Sequence, residues 1–278
     1  MPLWIRSPVA AEVLAGSEME TRSSLAITYS VWKALFMREA LVRLFSKRMG
    51  TVWMLAEPAV SILILMFIFS VMRVRQLGGI ETAIWIMMGM SGFFMFRRTA
   101  MIAMKAVHMN RPLFTYRQVK PVDAVIVRGM VEGVIMALVI LVMLVGGGLV
   151  GLDVVPGDPL LALGQLFVLW SLGMAFGLVT SVITELIPEL GEIINLAMMP
   201  LYFVSGVIFP VNVVPPPYRD WMLLNPLVHA IEGVRLGFAP HYHPVNDLDL
   251  WYPAAVALFF IVIGLAMHRR FAARLLAL

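Results

Sequence analysis

The chain has 278 residues, 61% of them hydrophobic and 14% charged, with a mean hydropathy of +0.90. Soluble domains average about 45–50% apolar and about 25% charged residues, and one core of this size cannot bury the excess, so an integral membrane protein is expected and a soluble fold excluded. Net charge is +4, from 21 Lys and Arg against 17 Asp and Glu, and the absence of cysteine excludes disulfides, thiolate catalysis and cysteine-held metals.

Residues 1–29 are polar, carry Glu12, Glu18 and Glu20, and lack a long apolar run. A cytoplasmic arm is expected there, not a cleaved signal peptide. Residues 31–48 mix Trp32, Leu35, Phe36, Leu41, Leu44 and Phe45 with Lys33, Arg38, Arg43 and Lys47. That pattern suits an interfacial helix, lying along the inner leaflet or packed on the ends of a bundle. Six apolar runs follow, at 52–71, 80–96, 125–145, 160–183, 193–209 and 252–267. Each approaches the roughly 20 residues that cross a hydrocarbon core. The second is the weakest: Gly89 and Gly92 loosen it and Arg97-Arg98 cut it short, so a short or broken helix inside the bundle is expected. Residues 210–251 read as a periplasmic loop, with Pro215-Pro216-Pro217 and the interfacial anchors Tyr218, Trp221 and Tyr252 nearby. The expected fold is an all-α polytopic membrane protein, six transmembrane helices in one domain over residues 30–278.

An even number of spans puts both termini on one side. With that side cytoplasmic, seven Lys and Arg precede the first span, six follow the second and three close the chain, sixteen of the 21 in all. Arg128 lies inside the third span, and only Arg73, Arg75, Arg219 and Arg235 fall outside. This bias sets both termini inside under the positive-inside rule.

Charges within spans cost roughly 2.5–3.5 kcal/mol each on insertion scales and need partners. Glu57-Pro58 reads as a kink near the inner interface or a wall element of a polar pathway. Arg128 and Glu132 are four residues apart on one helical face, which predicts an internal salt bridge. Glu185, Glu189 and Glu192 flank Pro188 and read as a solvated acidic turn. His241 and His243 have no third ligand at metal spacing, so no metal is expected. No G-x-S-x-G, H-E-x-x-H or P-loop occurs, and Gly146-Gly147-Gly148 has no lysine beside it. Catalytic residues are therefore not expected, and were the chain to transport a solute actively, the energy would come from another subunit or an ion gradient.

The string Gly50-Thr51-Val52-Trp53-Met54-Leu55-Ala56-Glu57-Pro58 resembles the L-G-x-x-W-x-x-x-E-P opening of ABC-2 exporter permeases, with Met49 in place of the usual leucine. The loop Leu113–Asp123 with Arg128 and Glu132, the run Pro200–Pro210, and Asn225-Pro226-Leu227-Val228-His229 with Glu232 and Arg235 are similar to the capsular polysaccharide branch, the KpsM type. The resemblance covers roughly residues 32–268 in order. It implies an ABC-2 (type V) exporter-like homodimer that binds two copies of a separate ATPase, which carries the ATP and Mg²⁺, so that this chain holds no cofactor. It further implies export of a lipid-linked acidic polysaccharide across a bacterial inner membrane, with a periplasmic co-polymerase-type adaptor and an outer-membrane exporter as partners and no nucleic acid.

Under that resemblance Met109, Arg111, Leu113, Phe114 and Tyr116 form the expected ATPase-docking element, an apolar knob beside a cation. Arg38, Arg43, Arg97 and Arg98 are candidates for phosphate or sugar-acid capture at the inner surface. Trp53, Glu57, Trp85, Trp170, Tyr202 and Phe203 are candidates for lining a pathway. Competing readings are an ABC-2 exporter of another cargo (an O-antigen, a teichoic acid or a drug), an ion-coupled carrier using Glu57, Arg128 and Glu132, and a membrane transferase.

Overall fold

Apolar runs fold as helices because in lipid each backbone N–H or C=O left without an internal partner costs several kcal/mol. Proline marks where they begin. Pro121, Pro159, Pro226 and Pro253 each stand in a first helical turn, where the missing N–H would have been unpaired anyway. Caps complete the starts: Asp158 Oδ1 accepts from the Leu161 N–H at 3.0 Å and Asn225 Oδ1 from the Leu227 N–H at 3.1 Å. Asp123 Oδ2 accepts from the Lys120 N–H at 3.0 Å.

The computed structural model describes residues 24–45, 48–72, 76–116 and 118–277. Helix α1 runs Ser24–Phe45, α2 Arg48–Val71 and α3 Thr82–Met104. The one-turn α4 (Ala106–Met109) and a 3₁₀ turn (Arg111–Thr115) lead to α5 (Pro121–Leu149), α6 (Pro159–Leu186) and α7 (Glu189–Val204). Then come α8 (Tyr218–Met222), α9 (Pro226–Phe238), α10 (Tyr252–Arg270) and α11 (Ala272–Ala277). A hairpin joins α2 to α3, pairing β1 (Gln76–Leu77) with β2 (Ile80–Glu81) around Gly78-Gly79, whose φ angles of 60° and 87° suit a tight turn. Most of the expected arm 1–29, and with it Arg6 and Arg22, lies outside the described residues, as do Lys47, Arg73, Arg75 and Arg117.

Among the described residues three helices, α5, α6 and α10, are long and apolar enough to cross a membrane, and α2 holds a shorter apolar stretch over Ala56–Phe69. These helices coincide with the first, third, fourth and sixth expected runs. The fifth is shifted toward the N-terminus: α7 ends at Val204 because Gly206, at φ 67°, turns the chain. The second differs most. Arg97-Arg98 do not interrupt it; α3 continues unbroken to Met104 and is buried along most of its length. Arg98 is charge-neutralised by neighbours, so the pair does not end the helix.

Helix α3 is central because α6 comes unusually close to it. A Cβ on Gly173 would lie 2.6 Å from the Phe96 carbonyl oxygen and 2.9 Å from Thr99 Cβ, and one on Gly177 would collide with Ala103. Gly173 and Gly177 form a G-x-x-x-G surface, the small-residue device of close membrane helix packing. Helix α9 contacts α3, α6 and α10, and eleven of its thirteen residues are buried. Residues 226–238, expected as part of an outer loop, are thus a core helix too short to cross a bilayer. Helix α1 packs Trp32, Leu35 and Phe36 against Val127, Val131 and Ile135 of α5. That contact agrees with the reading of a helix packed on the bundle.

Candidate functional site

The buried carboxylate of Glu132, in the first half of α5, organises one end of the bundle. It accepts from Arg43 Nη1 at 2.6 Å and from Arg98 Nε at 2.7 Å, and no part of its side chain is exposed. The expected partner, Arg128, turns instead to α1, where its Nε lies 2.9 Å from Glu39 Oε1. Glu39 is buried and also takes Arg43 Nε at 2.8 Å. The predicted Arg128–Glu132 bridge is therefore corrected. Residues four apart on a helix share a face, but α1 and α3 bring opposite charges closer. Arg98 Nη1 then reaches Glu57 Oε2 at 3.4 Å, and Arg128 Nη1 points at Met109 Sδ, 2.9 Å away. Arg38, on α1, donates to Asn110 Oδ1 at 2.8 Å. A continuous chain of polar contacts thus runs from Met109 and Asn110 through Arg128, Glu39, Arg43 and Glu132 to Arg98 and Glu57.

That chain ends in a cavity of about 240 Å³ between α2, α3 and α7, with polar and apolar walls. Glu57, Ser61, Arg97, Arg98 and Asn195 supply its polar side; Pro58, Phe94, Met101 and Ile102 supply the rest. Pro58 lies inside α2 and is buried, whereas the Glu57 side chain is 60% exposed. Arg97 is half-buried and makes no ion pair or hydrogen bond among the described residues. The four basic candidates therefore divide. Arg43 and Arg98 are bound by Glu132, Arg38 holds Asn110, and Arg97 remains directed at the cavity.

The expected docking element divides as well. Met109 and Tyr116 are exposed, at 60% and 67%. Phe114 is half-buried against a cluster that includes Ala103, Val107, Val125 and Leu178, and Leu113 is half-buried beside it. Arg111 Nη2 donates to Glu185 Oε2 at 2.6 Å, and His108 Nδ1 stands 3.8 Å from the same carboxylate. Glu185 is buried, so it is not the solvated residue expected of the turn after α6; Glu189 and Glu192 are exposed. Arg111 is a strut for the loop, and Met109 and Tyr116 are the parts that face outward.

The aromatic candidates do not converge. Trp85 is fully buried on α3 under the guanidinium of Arg235, whose Cζ is 3.6 Å from the ring centroid. Trp170 Nε1 donates to the Gly129 carbonyl at 2.9 Å and lines an apolar groove of about 690 Å³ between α5 and α6. Tyr202 meets Phe93 edge-on at 5.0 Å and Phe203 at 5.8 Å. Only Phe203 and Trp53 are widely exposed, Trp53 at 70%. Trp85 is thus a packing residue, while Trp170 is half-buried at the groove wall.

A second polar cluster escaped the sequence reading, which placed Arg235 outside the spans. Arg235, on α9, is wholly buried and its Nη1 donates to Glu232 Oε1 at 2.8 Å and to the Gly206 carbonyl at 2.9 Å. Nη2 reaches the Val207 carbonyl at 3.3 Å. Tyr242 Oη donates to Glu232 Oε2 at 2.7 Å; burial first, and the Glu232 carboxylate second, push the phenol above its ordinary range. The spacing of Glu232 and Arg235, three apart, carries the signal for this pair. Nearby, His229 Nδ1 accepts from the Asp249 N–H at 3.1 Å, so its Nε2–H is the donor to the Leu223 carbonyl at 2.8 Å. Arg235 thereby ties the turn after α7 to α9 and α3.

A family model described as ABC-2 type transporter matches residues 30–239. The polysialic acid transport protein KpsM of Escherichia coli is 31% identical over 250 residues, 89% of this chain and 96% of that protein. The capsule polysaccharide export inner-membrane protein CtrC of Neisseria meningitidis serogroup B is 26% identical over 254 residues, 89% and 93% of the two chains. The capsule polysaccharide export inner-membrane protein BexB of Haemophilus influenzae is 24% identical over 260 residues, 92% and 96% of the two.

Proposed function

The chain belongs to the ABC-2 type transporter family, and on that premise we propose that it is the permease of an exporter carrying a capsular polysaccharide across a bacterial inner membrane. Similarity along nine-tenths of the chain to permeases named for capsule polysaccharide or polysialic acid is the observation that carries this reading. An acidic cargo agrees with the basic cavity between α2, α3 and α7.

Six crossings are made by α2, α3, α5, α6, α7 and α10. Helix α3 tolerates its polar residues because it lies against other protein, and α7, sixteen residues long, carries its acidic residues Glu189 and Glu192 in its first turn. The distribution of Lys and Arg supports cytoplasmic termini, which puts the cavity and the loop from Met109 to Tyr116 on the inner side. The permease works as a homodimer with two copies of a separate ATPase, which binds ATP and Mg²⁺ and hydrolyses the nucleotide. The permease itself uses no cofactor. A periplasmic adaptor and an outer-membrane exporter continue the route, and the cargo arrives lipid-linked.

The test is complementation. In a bacterium lacking its capsule-export permease but retaining the ATPase, this chain is expected to restore surface polysaccharide. Correct membrane insertion without restored surface polysaccharide would overturn the proposal, as would ATP hydrolysis by the purified chain alone.

A further inference from the structure

The cavity between α2, α3 and α7 has an asymmetric pair of contacts on one cation. Arg98 is anchored at Nε, 2.7 Å from the fully buried Glu132. At Nη1 it meets Glu57 at only 3.4 Å, longer than the roughly 2.7–2.9 Å of a well-made charge-assisted bond. The Arg98 side chain is 16% exposed and that of Glu57 is 60% exposed. The cation is thus held in place while the carboxylate is free to swing outward. Arg97 borders the same cavity without an ionic partner among the described residues. The cavity volume of about 240 Å³ is that of some eight water molecules at about 30 Å³ each, room for one small charged group.

We propose that this cavity is an oxyanion site guarded by Glu57, in which a phosphate or carboxylate of the cargo takes Arg98 Nη1 from Glu57 and is completed by Arg97. The inference rests on the export reading. It adds to that reading a residue that competes with the cargo. Before the anion arrives, Glu57 lowers the local positive charge; afterwards the anion replaces it, and Glu132 keeps Arg98 in position throughout. Exchange costs little because a half-exposed ion pair contributes little stability. The incoming group gains a two-cation setting that Glu57 does not fill.

The sign of one substitution tests the idea. The full chain in nanodiscs is titrated with a short-chain phosphatidylglycerol, which presents a lipid phosphate, and with an oligomer of sialic acid, which presents sugar carboxylates. Glu57→Gln is expected to bind one of the two about two- to fivefold more tightly, the competitor having been removed. Arg97→Gln, which breaks no ion pair among the described residues, is expected to bind the same probe about tenfold more weakly. The probe that responds identifies the source of the anion. Unchanged or weaker binding by Glu57→Gln, unchanged binding by Arg97→Gln, or no response to either probe overturns the exchange. Capsule restoration by the unaltered chain alongside such a result would show that only the site is lost. Failed restoration would strike the export reading itself.

Discussion

Arg43 and Glu132 stand 89 residues apart in the chain, and Arg43 Nη1 lies 2.6 Å from Glu132 Oε2 in the fold. The pair fastens α1 to α5, and Arg98 adds α3 at the same carboxylate. Removing the shared anion leaves two guanidiniums without it in a largely buried place. Breaking a buried pair by removing one partner costs about 3–5 kcal/mol. Glu132→Ala is therefore expected to lower the thermal midpoint of the detergent-solubilised protein sharply. Arg43→Ala alone should cost less, because Arg98 still neutralises Glu132. Thermal unfolding followed by size-exclusion chromatography measures both.

Arg235 is expected to be as intolerant of lysine as of leucine. Its guanidinium meets Glu232, three backbone carbonyls and the Trp85 ring at once, and an ammonium cannot reproduce a planar fork stacked on indole. Tyr242→Phe removes a single hydrogen bond to Glu232 and should cost about 1.5–3 kcal/mol. Thermal midpoints ordered wild type, Tyr242→Phe, then Arg235→Lys check the ranking; equal midpoints for wild type and Arg235→Lys would contradict it.

Close approach of α6 to α3 predicts a graded response to size. Gly177→Ala would already meet Ala103, and Gly173→Leu would meet the Phe96 carbonyl. Overpacking of this kind costs about 1–3 kcal/mol, and more as the added group grows. Gly164, around which a Cβ would find open space, serves as the tolerant comparison on the same helix. Expression yield and thermal midpoint should fall for the first two and stay level for Gly164→Ala.

In the loop proposed to dock the ATPase, exposed side chains and buried ones divide. Met109→Ala with Tyr116→Ala truncates exposed side chains and should weaken co-purification of the ATPase by about tenfold or more while leaving thermal stability nearly unchanged. Phe114→Ala and Arg111→Ala should lower stability too, since Phe114 fills a core cluster and Arg111 holds Glu185. Undiminished complex yield with Met109 and Tyr116 truncated would remove the docking role.

Four of the six apolar runs, and the family, could be read from the chain because both depend on local information. Long apolar runs, prolines in first turns and the bias of Lys and Arg act within some twenty residues. The strings around Glu57-Pro58, Lys120-Pro121 and Asn225-Pro226 likewise keep their meaning wherever the helices pack. The Gly173–Gly177 spacing, passed over in the sequence reading, is a local signal of close packing as well, though of no particular partner.

What tertiary structure decided was the pairing of charges. Arg128 and Glu132 suit one another by spacing, yet Glu39 and Arg98 arrive from other helices and capture them. Arg235 looks like a loop cation in sequence and is a fully buried clamp in the fold. Arg97 and Arg98 are adjacent and border the same cavity, yet only Arg98 is bound to Glu132 and Glu57. Hydrophobicity is a property each segment carries alone and so can be summed along the chain. A charge in a poorly polarisable interior is governed by whichever opposite charge lies nearest, and only the packing of α1, α3 and α5 determines which one that is.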